Sequence, residues 1–218
     1  HGPLPAHPLR PRRHPHRLRP GHPRQLRDAF AHTGIAPVRS IDESIIGPPL
    51  LETLQLLSGS QDAALTGRLA DAFKASYDSE GYKATAAYAG VGTMLAALAG
   101  AGLTLSIATN KRIHPTRLIL EHLGWHTHFA HVYALDLFSP RLPDKAAMIS
   151  RLLADQAIPK DKAIYIGDRS EDGESADANS LPFIAVTWGY GSIQPAEMAT
   201  HWRHAASPEA LGRALLAE

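Results

Sequence analysis

From residue 87 to the C-terminus, short apolar runs alternate with helical patterns, and this alternation constrains the fold more than any other feature of the chain. Strands separated by helices imply βαβ units around a parallel sheet. The periodicities predict a helix over Val91 to Ala99, stopped by Gly100-Ala101-Gly102, then a strand over Leu103 to Ala108 and a helix over Pro115 to Leu123. A strand over His131 to Leu135, a helix over Asp144 to Gln156 and a strand over Ala163 to Ile166 come next. The chain closes with a helix over Glu171 to Ser180, a strand over Phe183 to Thr187 and a helix over Pro208 to Leu216. Residues 26 to 80 differ, reading as helices over Leu26 to His32, Leu50 to Leu57 and Asp62 to Tyr77, with no convincing strand. Gly81 to Tyr88 returns the chain to the sheet and is a candidate hinge.

Composition narrows the class. At 218 residues and 44% hydrophobic content the chain can bury one good core and a smaller appended domain. It has no apolar stretch long enough to span a bilayer and no signal-peptide pattern. The absence of cysteine excludes disulfides and thiolate chemistry and fits a cytoplasmic protein. The net charge of +1 hides an asymmetry: residues 1 to 24 hold six arginines, five histidines, seven prolines and no acid. The rest of the chain carries 16 Lys and Arg against 21 acids, about −5. A nucleic-acid arm is one reading of such a tail.

In open parallel sheets ligands bind beyond the carboxyl ends of the strands. Three such places carry chemistry. Thr109-Asn110-Lys111 follows the first strand, Lys145 follows the second, and Gly167-Asp168-Arg169-Ser170-Glu171-Asp172 follows the third. Asp168 and Asp172, four residues apart across a strand-to-helix turn, can converge on one hard cation such as Mg²⁺. A hydroxyl and an amide, an ammonium and two carboxylates suit a phosphate held beside a metal. Each residue also has a plain structural role open to it. Thr109 can cap the next turn, Lys145 can be a solvated helix-start residue, and Asp172 can be an N-terminal helix acid favoured by the dipole. His126, His128 and His131 lack the spacing of a zinc site and read as surface or structural residues.

The order of these motifs, with 36 residues from Thr109 to Lys145 and 23 from Lys145 to Asp168, resembles the haloacid-dehalogenase superfamily of phosphohydrolases. The resemblance implies an α/β fold, a Rossmann-like parallel sheet flanked by helices with a small all-helical type 1 cap. Residues 26–82 would form the cap and 83–218 the core, behind an aberrant segment 1–25. Ile45 to Leu50 and Thr187 to Gly191 look most like the phosphoglycolate phosphatase and 5′-nucleotidase-like group. By the same resemblance Thr109 would bond the transferring phosphoryl oxygens, Asn110 would support the loop and Lys145 would neutralise charge. Asp168 would ligate Mg²⁺, and Asp172 would bind it through water or orient Asp168. Ile46, Gly47, Pro48 and Pro49 would form a rigid cap loop facing the substrate, or else a plain turn between cap helices. Trp188 to Gly191 would line the mouth of the site or simply pack as a loop.

One expected element is missing. The family attacks phosphorus with an aspartate of a DxDGT motif on its first strand, and no DxDGT occurs in this chain. Where it should lie stand Arg10-Pro11-Arg12-Arg13-His14-Pro15. Phe-Asp-Leu-Asp-Gly-Thr-Leu written as TTC GAC CTC GAC GGC ACC CTG and read from its third base gives Arg-Pro-Arg-Arg-His-Pro, the sequence of residues 10 to 15. The expectation is an out-of-frame first strand ending near residue 24. The normal frame then resumes near Gln25 to Arg27, and the chain as written lacks its nucleophile.

Taken together, these readings predict an Mg²⁺-dependent phosphomonoester hydrolase by family, acting through aspartyl-phosphate on phosphoglycolate or a nucleoside 5′-monophosphate. The partner is a small phosphorylated metabolite, with no nucleic acid and no membrane, and the protein is a monomer or homodimer. The alternative is a non-catalytic phosphate-binding or interaction protein derived from the same family.

Overall fold

A computed structural model describes residues 22–42, 45, 50–189 and 193–217. Arg10 to Pro15 and the rest of 1–21 lie outside the described residues, as do Ile46, Gly47, Pro48, Pro49, Tyr190 and Gly191. The chain divides into two compact units, His1–Phe73 and Lys74–Glu218.

In the first unit the described elements are α1 (His22–Thr33), α2 (Leu50–Ser58) and the start of α3 (Ala63–Ser79). Helix α1 begins four residues before the expected Leu26, because Pro23 near its start has no N–H to lose there. The Asp62 carboxylate starts α3 by accepting from the N–H groups of Ala64 and Leu65 at 3.3 and 3.1 Å. Leu26, Ala29 and Phe30 on α1, Leu54 and Leu57 on α2 and Leu69 on α3 are buried, the apolar stripes that amphipathic helices present to a core. Arg27 donates to the Ile41 carbonyl at 2.7 Å and holds the connection after α1.

The second unit opens with the last turn of α3 and a 3₁₀ turn, Gly81–Ala84. It continues through α4 (Val91–Gly100), β1 (Leu105–Thr109), α5 (Ile113–His122), β2 (Phe129–Ala134), α6 (Lys145–Asp155) and β3 (Tyr165–Gly167). Helix α7 (Ser170–Ala178), β4 (Phe183–Val186), β5 (Arg203–Ala205) and α8 (Pro208–Leu216) complete it. Local signals set these limits. Gly102, at φ 83°, lets the Leu103 N–H reach back to the Leu98 carbonyl at 3.2 Å and ends α4. Asp144 caps α6 by accepting from the Ala147 N–H at 2.8 Å, and Ser207 caps α8 with Pro208 in its first turn.

All strand pairings are parallel, but among the described residues the sheet lies in two pieces, β1-β2 and β3-β4-β5. Strand β5 has no counterpart in the sequence reading. Arg203-His204-Ala205 carries no apolar run, and its extended form comes from pairing with β4 rather than from propensity. Helix α6 joins the two pieces. Met148 and Leu152 pack with Tyr133 on β2 and Leu135 just after it, while Ile149 and Leu153 pack with Phe183, Ala185 and Trp202. Ala108 touches both clusters, and the Tyr165 hydroxyl donates to its carbonyl at 3.3 Å.

Candidate active site

The carboxyl ends of β1 and β3 and the first turns of α6 and α7 carry four of the residues singled out in the sequence. Thr109 ends β1, and its Oγ1 accepts the Lys111 N–H at 3.1 Å. The capping role is thus realised, yet a hydroxyl that accepts keeps its own proton to donate to an incoming oxyanion. Asn110 follows on an exposed bend.

Lys145 and Asp172 meet across 27 residues of sequence. Asp144 caps α6 and thereby sets Lys145 as its first helical residue, and the Lys145 ammonium pairs with Asp172 Oδ1. Asp172 is only 4% exposed, at the third position of α7. Its Oδ2 accepts from the backbone N–H groups of Asp168 and Arg169 at 3.1 and 3.2 Å. The reading of Asp172 as a first-turn helix acid is thus realised in the structure. Both oxygens of this carboxylate are engaged by the protein, so Asp172 ties the start of α7 to Lys145 and to the backbone after β3.

Close packing shapes both acids. A Cβ on Gly167 would fall 2.4 Å from Asp172, and one on Gly189 would fall 2.4 Å from Asp168 Oδ2. Neither position accepts a side chain without moving a carboxylate. Gly189 lies in the loop after β4, within the Trp188 to Gly191 stretch; its backbone rests against the site acid, which favours the site-lining reading at that one residue. The sequence signal for it is the family resemblance of Thr187 to Gly191.

Tyr165 was missed by sequence reasoning. Its hydroxyl joins β3 to the residue before Thr109. Burial, followed by the charges of Asp172 and Asp168, pushes its pKa well above the usual tyrosine range. It remains a neutral donor to the Ala108 carbonyl. An aromatic in an apolar run gives no hint of this contact.

Among the described residues no three His, Asp or Glu side chains gather as they would around a metal ion. Mg²⁺ usually rests on one or two carboxylates, waters and substrate phosphate. Asp168, in the space Gly189 leaves open, fits as one such ligand, but these residues make only part of a site.

Comparison with known proteins gives the family. The family described as haloacid dehalogenase-like hydrolase matches residues 26–186. A Tyrosine-protein kinase PtkA of Mycobacterium tuberculosis is 33% identical over 170 residues, 76% of this chain and 56% of that protein. A 5′-nucleotidase of Pseudomonas aeruginosa is 30% identical over 187 residues, 84% of each. A Phosphoglycolate phosphatase of Rhodospirillum rubrum is 33% identical over 131 residues, 60% of this chain and 54% of that one. The chain spans about half the length of the PtkA relatives it matches. A solved structure described as a predicted phosphatase from Clostridium acetobutylicum superposes with a TM-score of 0.70 at 26% identity, covering 91% of both chains. With the parallel α/β architecture and these matches in agreement, the chain belongs to the haloacid dehalogenase-like hydrolase family.

Proposed function

We propose that this protein derives from an Mg²⁺-dependent phosphomonoester hydrolase of the cytoplasm, acting on a small phosphorylated metabolite, and that the chain as written is inactive. The observation that carries the reading is the meeting of Lys145 with Asp172, whose carboxylate also holds the Asp168 backbone at the end of β3. Thr109 donates its hydroxyl proton to a phosphoryl oxygen. Lys145 has three N–H donors, and the one spent on Asp172 leaves two for phosphate. Asp172 holds the Asp168 backbone, so the Asp168 carboxylate stays at the strand end. Bound Mg²⁺, resting on Asp168, would supply neutralisation of phosphate charge. Phosphoglycolate and a nucleoside 5′-monophosphate are the leading substrates, supported by the names of two relatives.

Inactivity rests on the absence of DxDGT and on the codon relation between Arg10 to Pro15 and Phe-Asp-Leu-Asp-Gly-Thr-Leu. Resequencing the gene tests the frameshift, and an uninterrupted frame without an insertion or deletion would sink it as an error.

The functional test compares this chain with one carrying Phe-Asp-Leu-Asp-Gly-Thr-Leu in place of the shifted residues. Hydrolysis of p-nitrophenyl phosphate, phosphoglycolate and nucleoside 5′-monophosphates is measured with Mg²⁺. Turnover by the restored chain alone is expected, and equal activity of both overturns the nucleophile reading. A folded restored chain that binds phosphate without turnover favours the non-catalytic alternative. An arm with ATP and a tyrosine-containing protein covers the activity named for the kinase relative.

A further inference from the structure

The loop that carries Thr109 and Asn110 is fastened from outside the strand-end residues. Between β1 and α5 it has little local support, since Arg112 at the N-cap of α5 makes no side-chain capping bond. The Thr109 hydroxyl holds the Lys111 N–H, and the Asp136 carboxylate accepts the Ile113 N–H at 2.9 Å. The strongest anchors come from the last turn of α3. Both Arg112 guanidinium nitrogens donate to Asp78, at 2.9 and 2.8 Å, a fork that fixes the plane of the group as well as its position. One residue earlier, the Lys111 ammonium donates to the Tyr77 hydroxyl at 3.3 Å and lies 5.2 Å from the centre of its ring.

The two cations are treated differently. Arg112 is neutralised by Asp78, whereas the partners of Lys111 in these contacts are neutral and it forms no salt bridge among the described residues. Lys111 is thereby held at a defined place two residues from Thr109. Side-chain and cation contacts to Tyr77 and Asp78 restrain residues 111 and 112, and the Thr109 to Lys111 bond carries that restraint to the strand end.

We propose that the last turn of α3 sets the phosphate loop: Asp78, through Arg112, and Tyr77, through Lys111, are positioning residues for Thr109 and Asn110. The inference rests on the proposed role of Thr109 and Asn110 in binding phosphate. It adds two residues, 31 and 32 positions upstream of Thr109, that no motif in the chain singles out. Small displacements of positioning groups cost disproportionately in ligand binding and transfer, which gives Asp78 and Tyr77 leverage without contact with the ligand.

The test is calorimetric titration of the full chain with inorganic phosphate. Asp78→Asn removes the charge and half of the fork, and Arg112→Lys keeps the charge but cannot form the fork. Each is expected to weaken phosphate binding about tenfold. Some fall in melting temperature is expected, because the paired side chains are only 34% and 21% exposed, so affinity is compared at a temperature where every variant is folded. The exchanged pair, Asp78→Arg with Arg112→Asp, should recover affinity to within about threefold of the parent. Glu80→Gln breaks the neighbouring Lys83–Glu80 pair and should leave affinity unchanged. Parent-like phosphate binding by both Asp78→Asn and Arg112→Lys overturns the inference while leaving the phosphate site standing. Should Asp78→Asn fail to fold, Arg112→Lys and the exchanged pair decide between the same two outcomes. A parent chain that binds no phosphate overturns the site and this inference together.

Discussion

Replacing Lys145 by methionine should expose how much of the site is held by one ion pair. The Lys145 side chain is 18% exposed and that of Asp172 6%, so the pair lies mostly out of water. Removing the cation strands a carboxylate, and for buried pairs this costs about 3–5 kcal/mol. Asp172 keeps its two backbone N–H donors, which places the expected loss near the bottom of that range, about 3 kcal/mol. Asp172→Asn should cost less, about 1–2 kcal/mol, because the amide oxygen can still accept from those N–H groups and the lysine can extend toward solvent. In the double variant both charges are gone, and the loss should fall short of the sum by about 1–2 kcal/mol. Urea unfolding of the parent, the two single variants and the double variant measures this coupling. Losses that add to within about 0.5 kcal/mol would refute the pair as the element joining α6 to α7.

Packing and ionisation lead to further expected outcomes. Gly189→Ala and Gly173→Ala both place a Cβ where an atom already stands, 2.4 Å from Asp168 Oδ2 and 2.5 Å from the Trp202 ring, and each should destabilise by about 1–3 kcal/mol. In the chain with the restored strand, calorimetry with Mn²⁺ should separate them: Gly189→Ala weakens cation binding and Gly173→Ala does not. Equal cation affinity in both would remove Gly189 from the site. The raised pKa of Tyr165 makes a signed prediction. Above the unfolded value of 10.0 the unfolded chain loses a proton that the folded chain keeps, so stability falls as pH rises, by up to about 1.4 kcal/mol per pH unit. Unfolding curves between pH 9 and 11 should show a shallower decline for Tyr165→Phe, and parallel declines would count against the buried hydroxyl. Gln25 Oε1 is buried with no partner among the described residues, so Gln25→Met should leave stability unchanged or raise it by about 1 kcal/mol, read from the thermal midpoint. A loss of more than about 1 kcal/mol would show that this oxygen has a bonding role.

The sequence by itself determined what is written within a few residues. Asp144 and Ser207-Pro208 announce α6 and α8, Gly102 ends α4, and the apolar run before Gly167 marks β3 with two acids in the turn beyond it. Those signals also limited the reading: Arg203 to Ala205 has no strand pattern, because only its pairing with β4 makes it one. Motif order carried the family, and with it the expectation of Thr109, Lys145, Asp168 and Asp172 in one place. What tertiary structure alone decided is how they are held. Lys145 and Asp172 meet across 27 residues, Tyr165 and Ala108 across 57, and Arg112 and Asp78 across 34. The closeness of Gly189 to Asp168 depends likewise on two loops packing together. Such partners share no local period or capping pattern, since their proximity arises only when helices bury their apolar faces on the sheet and bring distant strand ends side by side.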